Sequence, residues 1–123
     1  MPELAFWHEP QVPNLAAAEA RFQRILGDDD PVPLSGLEQR LQDFVNLAEQ
    51  DAPQAEIVAI GQAGGEPLYS RSGIVVRFPE EITKQVHPKL GSAAVQLGLH
   101  TYDRDGQFVF GVSKDPDISA RSS

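Results

Sequence analysis

Proline decides where this chain can be regular. Ten prolines are spread over 123 residues, and each one fixes φ, removes an amide donor and pushes the residue before it out of the helical region. Pro10 and Pro13 follow Leu4-Ala5-Phe6-Trp7 so closely that this apolar run reads as a buried, central strand rather than a helix. Pro31 and Pro33 forbid a helix across Asp28-Asp29-Asp30-Pro31-Val32-Pro33, whose three acids repel one another, and the segment is expected to be an exposed connector. Pro53 ends a helix, while Pro88 and Gly91 fall inside another and predict a kink or break near His87.

Between these stops the apolar spacing defines the elements. Asn14 caps a helix over 15–26, carried by Ala18, Phe22, Ile25 and Leu26 and stopped by Gly27. Ser35 is expected to cap a second helix, with Glu38 at the capping-box position. Leu37, Leu41, Phe44, Val45 and Ala48 form its apolar stripe, and Glu38, Gln39, Gln42, Asp43, Asn46 and Glu49 lie opposite. A strand over 56–60, a glycine-rich loop over 61–67 and a strand over 73–78 suggest a hairpin with a long tip. A third helix runs from Glu80 to Leu97, closed by Gly98. Leu99-His100-Thr101-Tyr102 then turns through Asp103-Arg104-Asp105-Gly106 into a strand over 107–112, a second hairpin. From Ser113 onward the chain is polar and expected to fray.

The resulting order, β, α, α, β, β, α, β, β, predicts one α+β domain over 1–123. It is a ferredoxin-like βαββαβ variant with an added terminal strand, in which the helices cover one face of a mainly antiparallel sheet. A hydrophobic content of 41% with 23% charged residues is ordinary globular composition. The absence of cysteine excludes disulfides, thiolate metal sites and thiol nucleophiles. No basic leader or apolar run of about 18 residues points to secretion or a membrane span, so a cytoplasmic protein without membrane contact is expected.

Catalytic patterns are missing. His8, His87 and His100 stand in no HxH, HxxxH or HExxH spacing, so no metal is expected. His87 reads as a cap or turn residue beside Pro88, His100 as a strand residue facing solvent, and Trp7 as core. Gly61-Gln62-Ala63-Gly64-Gly65 follows a strand but lacks both GxGxxG and a GK[ST] ending, and Glu66-Pro67 turns the chain away from a helix. Asp103-Arg104-Asp105-Gly106 has no downstream calcium ligands and reads as a turn. Serines 35, 70, 72, 92 and 113 have no nucleophile-elbow context. Neither a catalytic residue nor a cofactor is expected, and the chain does not read as an enzyme.

Charge is the remaining signal. Residues 1–66 carry twelve acids against three bases, whereas residues 67–123 carry six against seven, so nearly all of the net charge of −8 sits in the N-terminal half. Such a field steers basic partners and repels nucleic acid.

The strand Leu4-Ala5-Phe6-Trp7-His8-Glu9, the acidic, proline-broken helical pair and the late helix running into Gly98-Leu99-His100-Thr101-Tyr102-Asp103 together resemble small bacterial immunity proteins of polymorphic and secreted toxin systems. Arg104 stands where proline is common in that pattern, and the Pro88–Gly91 interruption departs from it. The resemblance implies a protein that binds and silences a cognate toxin. Toxins acting on nucleic acids or nucleotides tend to have basic clefts, which an acidic surface can reach quickly and occupy in place of phosphate. Asp28, Asp29, Asp30, Glu38 and Asp43 are the expected partner-binding residues, with Tyr69 on the hairpin loop as an aromatic anchor. The rival readings are a small-ligand-binding or regulatory adaptor domain, using an open sheet face or the gap beside the kinked helix, and an enzyme built around a perturbed acid or histidine.

Overall fold

A computed structural model describes residues 2–111; Val112 and the polar tail after it lie outside the described residues. Strand β1, Glu3–Trp7, has Leu4, Ala5, Phe6 and Trp7 all at 0% exposure, and the rest of the fold is arranged around it. Antiparallel neighbours flank it on both edges: β6 (Ile74–Arg77) and β7 (His100–Asp103). With β3 (Glu56–Ile57) and β8 (Phe108–Phe110) they make a five-stranded sheet in the order β3-β6-β1-β7-β8. The four strands β3-β6-β1-β7 fit the expected βαββαβ core, and β8 is the added strand at one edge.

The helices are α1 (Leu15–Leu26), α2 (Gln39–Asp51) and α3 (Thr83–Leu97). They do not share one face of the sheet, which corrects the expected layering. Leu4 and Phe6 point with Ile74 and Val76 into a core closed by α2 and α3. Ala5 and Trp7 point the opposite way, with Val75 and Tyr102, onto Ala18, Phe22 and Ile25 of α1. Successive strand residues face opposite sides, so a strand apolar at every position must be covered twice.

Local chemistry explains the boundaries. Asn14 Oδ1 accepts from the Ala17 amide at 2.8 Å, as its capping position requires. Ser35 does not cap α2. It lies in a 3-10 turn, Leu34–Gly36, and Glu38 holds the N-cap position. The intervening Leu37 stays extended and buried, and Gln42 Nε2 donates to its carbonyl at 2.7 Å, so burying Leu37 overrides the capping box. Helix α3 follows a 3-10 turn at Glu80–Ile82 and passes through Pro88 without a break. Pro88 lies in its second turn, where one amide is lost and packing of Val86 and Leu90 on both sides holds the helix. Gly98 ends it at φ 73°, and the Leu99 amide donates to the Ala94 carbonyl at 2.8 Å, burying Leu99 behind the cap.

Two segments expected to be irregular are paired. Val32–Pro33 (β2), Gly61–Ala63 (β4) and Glu66–Tyr69 (β5) form a second antiparallel sheet in the order β2-β5-β4. Gly64 and Gly65, both at positive φ, close a two-residue turn between Ala63 and Glu66, which makes the glycine tract a hairpin of its own. The strand expected over 56–60 divides accordingly. Its first residues pair with β6, whereas the Ile60 amide donates to Leu68 across the second sheet.

The Phe6 ring packs 4.3 Å from that of Phe44, joining the central strand to α2. Phe6→Ala is expected to cost about 3–5 kcal/mol, read as a lowered denaturation midpoint with an unchanged slope.

Candidate functional site

The aspartate run is partly committed to the fold. Asp28 Oδ2 accepts from the Ser70 hydroxyl at 2.6 Å, and its Oδ1 accepts from the Asp30 amide at 2.8 Å. The hydrogen bond from Ser70, followed by that amide, holds the Asp28 carboxyl below the usual carboxylate range. Asp30 lies 3.5 Å from Arg71, both well exposed, and Asp29 is exposed beside them. Tyr69 pairs with Val32, so the structure brings this run next to Tyr69. Tyr69 itself sits in β5 rather than on a loop. It is half-buried against the α2–α3 core, and burial, then the charge of Glu49 on α2, pushes its phenol up. The part of Tyr69 that stays accessible lines a surface pocket with Glu49, Pro53 and Ala55.

Glu38 is exposed at the start of α2, and Asp43 accepts from Gln39 Nε2 at 2.9 Å one turn later. Among the described residues no hydrogen bond or ion pair joins either of them to the Asp28–Asp30 run. What they share with it is few close ion pairs, and three arginines are held elsewhere. Arg77 holds Glu3 at 2.8 Å, Arg104 lies 3.8 Å from Glu3 and 3.4 Å from Glu19, and Arg21 lies 3.5 Å from Glu9. Folding thus spends these arginines on acids of β1, α1 and the segment after β1. Among the described residues Asp29, Glu38, Asp43 and Glu49 have no ion-pair partner, and Asp30 has only the loose contact to Arg71.

On the α1 side, the Tyr102 hydroxyl donates to Glu19 Oε1 at 2.6 Å. Burial and this bond push the Tyr102 phenol up to about 12, and the same bond is the main cause lowering the Glu19 carboxyl. His100, expected to face solvent, is fully buried, with Nε2 3.0 Å from the Glu9 carbonyl and its ring edge-on to Trp7. The alternation of its strand put it opposite Thr101, but both faces of β7 are covered.

A groove of about 490 Å³ runs between α3 and the β7–β8 edge. Pro88, Gly91 and Val95 on the helix and Phe108 and Phe110 on β8 supply its apolar walls. His87 on α3 reaches Asp103 on β7, Nε2 to Oδ2 at 3.4 Å, across one end. Reading the sequence located the gap beside Pro88 and Gly91 but not the two phenylalanines that face it. Their signal was the Phe108-Val109-Phe110 alternation in a terminal strand. Among the described residues no three His, Asp or Glu side chains converge as metal ligands, and no helix is long and apolar enough to cross a membrane. No protein-family model, curated protein or solved structure matches the chain.

Two titrations follow from these contacts. The depressed Asp28 carboxyl contributes stability that is present above the unfolded value near pH 4 and lost as pH falls through the folded one. Ser70→Ala should therefore cost about 1 kcal/mol near neutrality, a figure at the low end because Asp28 is partly exposed, and the difference should shrink in acid. The raised Tyr102 phenol works in the opposite sense: its contribution is complete below about pH 10 and is lost as pH rises towards 12. Tyr102→Phe should flatten that alkaline limb in denaturation curves taken across the range.

Proposed function

We propose that the chain is an immunity-type inhibitor, a non-catalytic domain that binds a cognate bacterial toxin in the cytoplasm and fills a basic active-site cleft with the acidic surface around α2 and the α1–β2 connector. The observation that carries this reading is where charge compensation stops. Three arginines, Arg21, Arg77 and Arg104, pair with acids on the β1–α1 side, Arg40 of α2 donates to the Leu97 carbonyl, and among the described residues Asp29, Asp30, Glu38, Asp43 and Glu49 are left with at most one loose ion-pair partner. Uncompensated like charges raise the energy of the isolated domain and are relieved when a basic surface docks. Over a protein surface they also raise association rates by about 10- to 1000-fold. Asp28 contributes to the field but is anchored by Ser70, so its role is to shape the connector that presents Asp29 and Asp30.

The test uses the protein encoded beside this chain. Coexpression should relieve the growth arrest that protein causes, and the two should purify as a stoichiometric complex whose association slows as salt rises. The variant Asp29→Asn/Asp30→Asn/Glu38→Gln/Asp43→Asn/Glu49→Gln should keep its fold by circular dichroism, associate at least about tenfold more slowly at low salt, and show a flatter salt dependence. Absence of both protection and a complex would end the inhibitor reading. Protection with unchanged association kinetics in the variant would move the interface elsewhere.

A further inference from the structure

Strand β8 ends the five-stranded sheet: β7 pairs with one of its edges, and among the described residues no strand pairs with the other. Hydrogen bonding along β1 and β7 determines what that outer edge presents. The Arg104 amide donates to the Glu3 carbonyl, which extends the β1–β7 register by one hydrogen-bonded pair. Such pairs alternate along an antiparallel ladder, so the backbone of Tyr102 faces β1, that of Thr101 and Asp103 faces β8, and their partners Phe110 and Phe108 turn inward. Val109 between them therefore aims its N–H and C=O outward, and no backbone hydrogen bond from a loop of the described residues reaches it. Phe108 and Phe110 share one face with ring centroids 6.4 Å apart, and they stay 54% and 49% exposed because α3 stops short of β8. Native sheets blunt a bare edge with charge or proline. The opposite edge of this sheet does so, since β3 is two residues long, carries Glu56 and follows Pro53. The β8 edge has neither device: Gly106-Gln107-Phe108-Val109-Phe110-Gly111-Val112-Ser113 is uncharged in a chain of net charge −8.

We propose that the outer edge of β8 pairs antiparallel with β8 of a second copy of this chain, joining the two sheets about a two-fold axis at Val109. An outward N–H and C=O on an extended strand call for another extended backbone, and this segment meets its own requirement. With the axis at Val109, each copy's Val109 N–H donates to the other's Val109 C=O, the self-matching contact that two-fold symmetry demands. The same register sets Phe108 of each copy opposite Phe110 of the other, so four exposed rings close into one apolar cluster and no like charges meet in the strand pair. Because α3 stops short of β8, the α3 helices of the two copies leave room for that cluster. An interface built on two short strands is small, and a weak dimer follows, with Kd of about 10 µM to 1 mM. None of these residues belongs to the acidic surface around α2, so the pairing stands whether or not the chain is an inhibitor.

Sedimentation equilibrium of the full chain between about 10 µM and 1 mM should give a monomer–dimer equilibrium. Two copies of net charge −8 repel each other, so the dimer should tighten as salt rises, the reverse of a complex formed through the acidic surface. Hydrogen exchange at the Val109 amide should slow as concentration rises. Phe108→Lys and Phe110→Glu, each at an exposed side chain, should keep the fold by circular dichroism and each weaken the dimer about tenfold. Mixed one to one, the two variants should pair with each other at least about threefold more tightly than either pairs with itself, because the two-fold register sets the lysine of one opposite the glutamate of the other. A chain that stays monomeric at about 1 mM, whether its own residues 112–123 or a foreign strand take the edge, overturns the proposal. Self-association that both variants leave unchanged overturns it too, as does a mixture that pairs no more tightly than its components.

Discussion

A strand buried on both faces along its whole apolar run cannot lie at an edge, and it cannot leave either face to water. Leu4, Ala5, Phe6 and Trp7 impose that condition on this chain. Each edge needs a partner to accept its backbone hydrogen bonds, which β6 and β7 supply, and each face needs a layer. The layers come from different helices: α1 meets the Ala5–Trp7 side, and α2 with α3 meets the Leu4–Phe6 side. Polar atoms carried in with the strand are met locally. Trp7 Nε1 donates to Glu9 at 2.8 Å, and the ring nitrogen of His100 lies against the Glu9 carbonyl.

Satisfying β1 determines what is left over elsewhere. Three helices suffice to cover the strands next to the centre, but on the α2–α3 side no helix reaches β8, and the groove is the uncovered remainder. Charge is distributed by the same geometry. Antiparallel pairing of β1 with β6 sets Glu3 against Arg77, and the turn after β7 brings Arg104 to Glu3 and Glu19. Arg77 and Arg104 are therefore held at the Glu3 end of β1, and among the described residues Asp29, Glu38, Asp43 and Glu49 keep no ion-pair partner. The acidic surface and the apolar groove are thus two separate consequences of one buried strand.

Periodicity made much of this legible. The strand Leu4–Trp7, the helix over 15–26, the apolar stripe of α2 and the glycine stop at Gly98 can each be read within a few residues of sequence, because burial and capping repeat on that scale. Errors fell where a distant partner overruled a local signal. Asp28–Pro33 reads as a solvated connector until Val32 meets Tyr69. Ser35 has the side chain of a cap, but the buried Leu37 delays the helix. Pro88 looks like a break, yet it sits early in a helix held by packing on either side. Of the residues expected to bind a partner, Asp29, Asp30 and Glu38 are exposed, Asp43 accepts from Gln39, Asp28 is tied to Ser70, and Tyr69 is half-buried against the α2–α3 core.

By itself the sequence determined the elements, the central place of the first strand and the excess of acid in one half, since these depend on composition and on spacings of two to four residues. Tertiary structure alone decided that α1 crosses to the opposite face, that a glycine tract pairs into a second sheet, which acids find a base, and that β8 ends the sheet with two exposed phenylalanines. Several of those outcomes join residues tens of positions apart, as Ser70 joins Asp28 and Arg77 joins Glu3. Local patterns carry no information on such pairs, because only the competition for cover around a shared core selects them.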